Sequence, residues 1–446
     1  MIDAAVVIPT YNRAEILRIV LSSLARQTYP KDRFEVVVVD DGSWDHTPEV
    51  VEQFRDRLDI RYFYQEDEGY RLSRARNIGI ENARGDIVIL LDSDMVVCPE
   101  YVFEHVRTHR GWDGPVVVMG YIYGYGMDGK EVLELVDWND ISKSAQILRQ
   151  YPKFWDVREF AFRKVGDDLS LFPAPWRFFW GGAASVGRKE LLEVGMFDED
   201  FRSWGVEDTE FGYRCFKKGL RFVLNRNAWS VHYPHPGNIR AKKESRKKNI
   251  LLFYRKHPNL EVELYTVAPR FKYNDLLGYI LGLSGMDLIP DYSCPGFGKV
   301  LGPLKEGKLL VLGCGMGDMA ARLGAEVAAD LDKTKVGLAQ RRFPHIEFRW
   351  ALGVRWLYPE RWFRKVVVTD FWRALGKIYL GKLLKESLRV GDEVFVLYTP
   401  ELTPFLSDGY MWHSDDVLRK VCARFGLSCK LEAEDKYCLA YRISTR

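Results

Sequence analysis

Residues 86–94 read Asp-Ile-Val-Ile-Leu-Leu-Asp-Ser-Asp, an apolar run of strand length that ends in two carboxylates one residue apart. A run without polar alternation is a strand covered on both faces. Similar runs precede it at Ala4 to Pro9 (AAVVIP), Phe34 to Val39 (FEVVVV) and Ile60 to Tyr64. Between them, Ala14 to Arg26 places Ile16, Leu17, Val20, Leu21 and Leu24 on one helical face, and Thr47 to Leu58 and Leu72 to Ala83 also read as helices. Buried strands that each lead into a helix predict a parallel sheet covered on both faces. Ligands of such sheets sit outside the carboxyl ends of the strands. That places three polar turns on one rim: Pro9-Thr10-Tyr11-Asn12-Arg13, Asp40-Asp41-Gly42-Ser43 and Asp92-Ser93-Asp94. Two acidic pairs on one rim repel unless a cation or ligand donors join them, and oxygen ligands suit Mg²⁺ or Mn²⁺.

The 446 residues suggest two to four domains. Apolar residues at 47% and aromatics at 14% exclude disorder as the main state. The balance of 65 Lys and Arg against 62 Asp and Glu, a net +3, gives no argument for nucleic acid. Seven cysteines without a repeated spacing fit a reducing compartment. The amino terminus lacks a basic flank, and no apolar stretch approaches the ~20 residues of a spanning helix. A cytoplasmic protein is therefore expected, with at most a peripheral hold on the inner face of a membrane.

After Met119 the alternation loosens. Tyr151 to Trp180 is dense in aromatics and interrupted by prolines, and Arg240 to Lys256 reads as a basic helix suited to an anionic partner. Residues 271–305, rich in Gly and Pro, read as a linker. The expected domains are thus 1–270, the linker, and a second α/β domain over 306–446.

VVIPTYNR, VVVVDDGSWDHT, GYRLSRARNIGIENARGDIVILLDSDM and WGGAASVGRKELLEVGMFDEDFRSWGVEDTEFGYR stand in an order that resembles the inverting glycosyltransferases of family two. Those enzymes have the nucleotide-sugar-binding GT-A fold, and the chondroitin-polymerase and β-1,4-galactosyltransferase groups look most similar. The resemblance runs from the start of the chain to the neighbourhood of Leu260. It implies that Pro9, Thr10, Tyr11, Arg13, Asp40 and Asp41 line the nucleotide base pocket, that Arg76 and Asn77 face the diphosphate, and that Asp92 contacts the ribose. It implies a divalent cation, Mn²⁺ or Mg²⁺, on Asp94 and His232, with His235 as the rival ligand. It puts the catalytic base on Asp208, with Glu207 bonded to a sugar. Gly181 and Gly182 would let backbone approach the donor sugar, and Trp204 would stack on a sugar face. Val206 departs from the glycine that the galactosyltransferase group tends to carry there.

In the expected second domain, Leu310-Val311-Leu312-Gly313-Cys314-Gly315-Met316-Gly317 ends a strand and opens a helix, and Asp330 closes the next strand. This order resembles the class I S-adenosylmethionine-dependent methyltransferases, a Rossmann-like α/β fold. The resemblance implies cofactor binding by Gly313, Gly315, Gly317 and Asp330. The chain departs from that family at Ala351-Leu352-Gly353-Val354, where an acid against adenine is usual, and no methyl-transfer base is evident. The expected activity is metal-dependent inverting transfer of a hexosyl or N-acetylhexosaminyl group from a nucleotide sugar, a UDP-sugar above others, to a glycan or glycolipid, with S-adenosylmethionine-dependent methylation as a coupled activity. The alternative is a non-catalytic scaffold or cofactor-sensing protein of a polysaccharide assembly complex.

Overall fold

The computed structural model describes all residues except 1, 127–128, 270–271, 287, 289–306, 405, 407 and 435–436. The chain divides into two compact units, Met1–Leu252 and Phe253–Arg446.

The first unit is built on β1 (Ala4–Thr10), β2 (Phe34–Asp40), β3 (Ile60–Tyr64), β4 (Ile87–Leu91), β5 (Met95–Val97), β6 (Val116–Tyr123), β7 (Ala183–Gly187) and β8 (Arg221–His232). They form one sheet in the order β3-β2-β1-β4-β7-β6-β8-β5. β1 to β4 pair in parallel; β1, β2 and β4 are buried throughout, as their unbroken apolar runs require, while β3 at the sheet edge is half-buried and ends on the exposed Tyr64. The helices Ala14–Leu24, Thr47–Glu52 and Leu72–Asn82 follow β1, β2 and β3.

The remainder corrects the expectation of a parallel sheet. β7 runs antiparallel to both β4 and β6, and β5 runs antiparallel to β8, so the sheet is mixed. The aromatic stretch breaks into short helical turns, and Phe154, Phe162, Trp176 and Phe179 from it are core residues. The basic helix spans Ile239–Lys256.

In the second unit, β9 (Leu309–Leu312), β10 (Val327–Asp330), β11 (Glu347–Trp350), β12 (Phe363–Val368), β13 (Gly391–Tyr398), β14 (Leu427–Glu434) and β15 (Leu439–Thr445) form a sheet in the order β11-β10-β9-β12-β13-β15-β14. The first five are parallel, and β15 is antiparallel to both its neighbours. The order reverses between β9 and β12, which defines a topological switch point. Helices Leu260–Val267 and Tyr273–Gly282 belong to this unit. The expected linker therefore contains a helix, and residues 271, 287 and 289–305 of it lie outside the described residues. Among the described residues no helix is long and apolar enough to cross a membrane.

Candidate functional site

A cleft of about 470 Å³ opens at the carboxyl ends of β1, β2 and β4. Pro9, Thr10, Tyr11, Arg13, Asp41, Asp92, Asp94, Trp204, His232 and His235 line it, together with Asp67, Tyr70, Tyr125 and Lys242. The first two turns are tied together by Asn12. Its amide N–H donates to Ser43 Oγ at 2.8 Å, and its side-chain oxygen accepts from Trp44 N–H at 2.9 Å. Asn12 has φ 49°, which asparagine tolerates better than most residues.

On the nucleotide side, Tyr11 is exposed, with its hydroxyl donating to Asp67 at 2.9 Å. Asp41 accepts from Arg71 N–H at 3.0 Å and from Gln65. Burial raises its pKa despite those donors. Asp40, beside it in sequence, points elsewhere. It is fully buried and accepts from Ser43 N–H and the Tyr62 hydroxyl, both at 2.7 Å, so it shapes the turn.

The metal-binding candidates meet through strand register. β5 leaves the Asp92-Ser93-Asp94 turn and pairs with the end of β8, with Met95 opposite His232. Tyr233 N–H then donates to the Asp94 carbonyl at 2.7 Å. Ligand atoms of Asp94, His232 and His235 lie within 4.8 Å of one another. His235 Nε2 is 3.0 Å from Asp94 Oδ2 and His232 Nε2 is 4.0 Å from it. Burial pushes the Asp94 carboxyl up, but the hydrogen bond from His235 and the positive potential of His232 and Arg13 outweigh it and hold the pKa at about 2. One carboxylate and two imidazoles fit a divalent cation, and the imidazoles favour Mn²⁺ over Mg²⁺. His235 Nδ1 lies 3.0 Å from the Pro236 carbonyl. Donation there would leave an Nε2 lone pair for a metal ion once the proton that Nε2 gives to Asp94 is lost, an orientation typical of metal-binding histidines.

Arg76 organises the opposite wall. It is 2% exposed and donates to Asp92 Oδ1 at 2.9 Å and to Glu207 Oε1 at 3.2 Å. Glu207 and Asp208 open the helix Glu207–Lys217, where acids suit the positive end of the helix dipole. Burial, reinforced by Asp208 and opposed by Arg76, pushes the Glu207 pKa up to about 7. Burial also raises that of Asp208, against the pull of Arg76. Glu207 Oε2 is buried without a hydrogen-bond partner. Val206, just before this helix, has φ 81°, an outlier for a β-branched residue and the position where a glycine was expected. The loop carrying Trp204 is held by the basic helix, through Ser245 Oγ to Trp204 O at 2.7 Å and Asn249 Nδ2 to Gly205 O at 2.7 Å.

Several predicted residues are engaged by the chain itself. Asn77 is buried and bonds both N–H and carbonyl of Phe197 at 2.9 Å, so it pins a loop. A Cβ on Gly182 would fall 2.4 Å from Asp92 Oδ2, and one on Gly181 would fall 3.0 Å from Arg76 Cζ. These glycines make room for the Arg76–Asp92 pair. Arg13 reaches Asp94, and one of its nitrogens stands 3.3 Å from His235 Nδ1. Sequence reasoning missed Tyr70 and Tyr125. Tyr70 sits in the quoted stretch GYRLSRARN, in the turn before helix Leu72–Asn82. Tyr125 packs its ring edge-on to His232 at 4.9 Å.

In the second unit, the groups implied for S-adenosylmethionine are engaged by the chain itself. Asp330 accepts from Gly315 N–H at 2.8 Å and Asp332 N–H at 2.9 Å. A Cβ on Gly313 would fall 2.3 Å from Thr369 Oγ1 and 2.4 Å from the Phe371 ring, and one on Gly317 2.9 Å from Phe348. The buried Glu263 accepts from Leu352, Val354 and Arg355 N–H at 2.8, 2.6 and 3.1 Å, holding the loop where the adenine-side acid was sought. These contacts fill the space beside Gly313 and Gly317 and engage Asp330, so they give no positive fit to the cofactor.

Comparison with known proteins adds a lineage to this geometry. The model of glycosyl transferase family 2 matches residues 5–163, and that of the N-terminal domain of galactosyltransferase matches residues 165–236. Validoxylamine A glucosyltransferase of Streptomyces hygroscopicus subsp. limoneus is 32% identical over 407 residues, 87% of this chain and 89% of that protein. The protein of the same name from subsp. jinggangensis (strain 5008) is 40% identical over 263 residues, 58% of this chain and 62% of that one. Chondroitin synthase of Escherichia coli is 34% identical over 279 residues, 58% of this chain, which spans only 40% of that protein's length.

Proposed function

We propose, from the premise that this chain is a glycosyltransferase belonging to family 2, that it moves a hexosyl group from a UDP-sugar to an acceptor hydroxyl with inversion at the anomeric carbon. The observation that carries this reading is the cleft in which the Asp94–His232–His235 cluster faces Asp92, itself paired with the Arg76 that also holds Glu207.

Tyr11 offers a flat face to the base. Asp41 offers carboxylate oxygens that accept a ring N–H, which uracil carries and cytosine lacks. Arg76 fixes Asp92 toward the ribose. Asp94, His232 and His235 would hold a divalent cation, which would supply Lewis-acid neutralisation of the leaving diphosphate. Asp208 takes the proton of the attacking hydroxyl as the acceptor oxygen–C1 bond forms and the C1–diphosphate oxygen bond breaks. Its raised pKa makes it a stronger base than an ordinary aspartate. Glu207 Oε2 accepts from a sugar hydroxyl, which would satisfy a buried oxygen that otherwise has no donor.

The match to a glucosyltransferase takes in 87% of this chain, more than the first unit, Met1–Leu252, can supply. Much of the second unit therefore aligns with a protein of that name. This supports reading the second unit as part of a glucosyltransferase architecture. Coupled methylation gains no support from the glycine turn, whose spaces the chain's own side chains fill.

The test is a thermal-shift screen of nucleotide sugars with and without Mn²⁺, followed by assay of UDP release. A ligand at ~100 times its dissociation constant raises stability by ~2.7 kcal/mol. Asp94→Ala should abolish the Mn²⁺-dependent part of the UDP shift. Equal shifts in variant and wild type would remove Asp94 from the metal site.

A further inference from the structure

We propose that Arg13 is a resident counter-cation of the Asp94–His232–His235 cluster that leaves when a divalent cation and a nucleoside diphosphate bind, so that the two ligands bind cooperatively. The proposal rests on the donor-site reading above and adds a role for Arg13 in how that site loads.

Arg13 has a fixed root and a partly exposed end. Its carbonyl accepts from Leu17 N–H at 2.9 Å as the helix Ala14–Leu24 begins, while its side chain is 30% exposed. The Arg13 Nη1 donates to Asp94 Oδ2, the same oxygen that lies 3.0 Å from His235 Nε2 and 4.0 Å from His232 Nε2. Its Nη2 lies 3.3 Å from His235 Nδ1. The guanidinium therefore occupies the side of the cluster from which an ion would share Asp94.

Charge makes the two occupants exclusive. Asp92 already has a guanidinium partner in Arg76, at 2.9 Å. Asp94 has Arg13, the one Lys or Arg paired with it among the described residues. A doubly charged ion on Asp94 Oδ2 would repel a guanidinium on the same atom. An ion arriving alone must break the Arg13–Asp94 pair and leave the displaced guanidinium to water. A diphosphate arriving with it supplies acceptor oxygens, and a planar guanidinium suits them in pairs. Part of the apparent metal affinity of the nucleotide-free chain is therefore lost to displacing Arg13. By reciprocity, Mn²⁺ raises nucleotide affinity by the same factor that nucleotide raises Mn²⁺ affinity.

The test uses the full chain without sugar donor, so no turnover enters. Free Mn²⁺ is followed by its electron paramagnetic resonance signal, with and without saturating UDP, in wild type, Arg13→Gln, Arg13→Met and Asp94→Asn. The two neutral Arg13 variants should bind Mn²⁺ alone about tenfold tighter than wild type, as expected if a docked arginine leaves roughly one site in ten competent. The gain in Mn²⁺ affinity on adding UDP should shrink by about the same factor. Asp94→Asn should bind little Mn²⁺. If Asp94→Asn loses Mn²⁺ while both Arg13 variants bind it no tighter than wild type, the role of Arg13 is overturned and the metal site stands. If Asp94→Asn binds Mn²⁺ normally, the site reading itself falls. A wild-type chain whose Mn²⁺ affinity ignores UDP overturns the coupling without any variant.

Discussion

Replacing Glu207 by Gln probes the buried carboxylate pair through stability, independently of turnover. Glu207 is 5% exposed, accepts from Arg76 through Oε1 at 3.2 Å, and has its pKa raised from 4.5 to about 7 by burial and the adjacent Asp208. A folded-state value above the unfolded one means that the folded chain holds the extra proton between those two pH values. Stability is therefore fullest below about pH 4.5 and falls as pH rises to about 7. At about 1.4 kcal/mol for each pH unit, that window corresponds to a loss of about 3 kcal/mol in wild type. Gln keeps an acceptor for Arg76 and cannot titrate. Its amide nitrogen, placed where Oε2 was, costs about 1–3 kcal/mol if it finds no acceptor, but that cost does not depend on pH. The stability of Glu207→Gln relative to wild type should therefore climb by about 3 kcal/mol between pH 4.5 and pH 7.5, whatever its starting offset. Sharing of the proton with Asp208 spreads the rise over a wider window and leaves its sign unchanged. The measurement is urea unfolding at several pH values, following the transition that UDP and Mn²⁺ together move to higher urea. A difference that stays flat, or falls with pH, would refute the raised carboxylate and with it the electrostatic picture of this wall.

Asp208→Asn should lower kcat by ~10²–10⁴-fold while calorimetric UDP affinity is unchanged, because only the proton acceptor is removed; a near-normal kcat would move the base to Glu207. Gly182→Ala should lower the melting temperature and cut kcat/KM by about tenfold or more, since the new Cβ displaces Asp92 from the buried Arg76; a normal melting temperature with normal kinetics would mean that Asp92 need not stay where Arg76 holds it. In the second unit, Glu263→Ala should lower stability by about 3 kcal/mol by stripping three backbone N–H groups of their acceptor, and Glu263→Gln, which keeps an acceptor oxygen, should cost less than half as much. Equal melting temperatures for these two variants would contradict the anchoring role of that carboxylate.

The pattern of apolar runs carried β1 to β4, their helices and the three polar turns, because burial on both faces and helical periodicity are local properties of the chain. The same pattern placed Asp92 and Asp94 at the end of a strand, where side chains can reach a ligand, whereas Glu207 and Asp208 were named only by the family resemblance. It could not show that β7 and β5 run antiparallel to their neighbours, since a strand buried on both faces reads alike in either direction. Nor could it choose between His232 and His235. Both enter the cluster because β8 pairs with β5 in a register that sets Met95 opposite His232, and that pairing joins segments far apart along the chain. Gly181 and Gly182 read in sequence as room for a sugar, and Arg13 as a base-pocket residue. Packing gave the glycines to the Arg76–Asp92 pair and carried Arg13 to Asp94. Local pattern decides which faces are buried and which turns are polar. Which charge meets which depends on strand register and side-chain packing across the sheet, and only the folded chain fixes those.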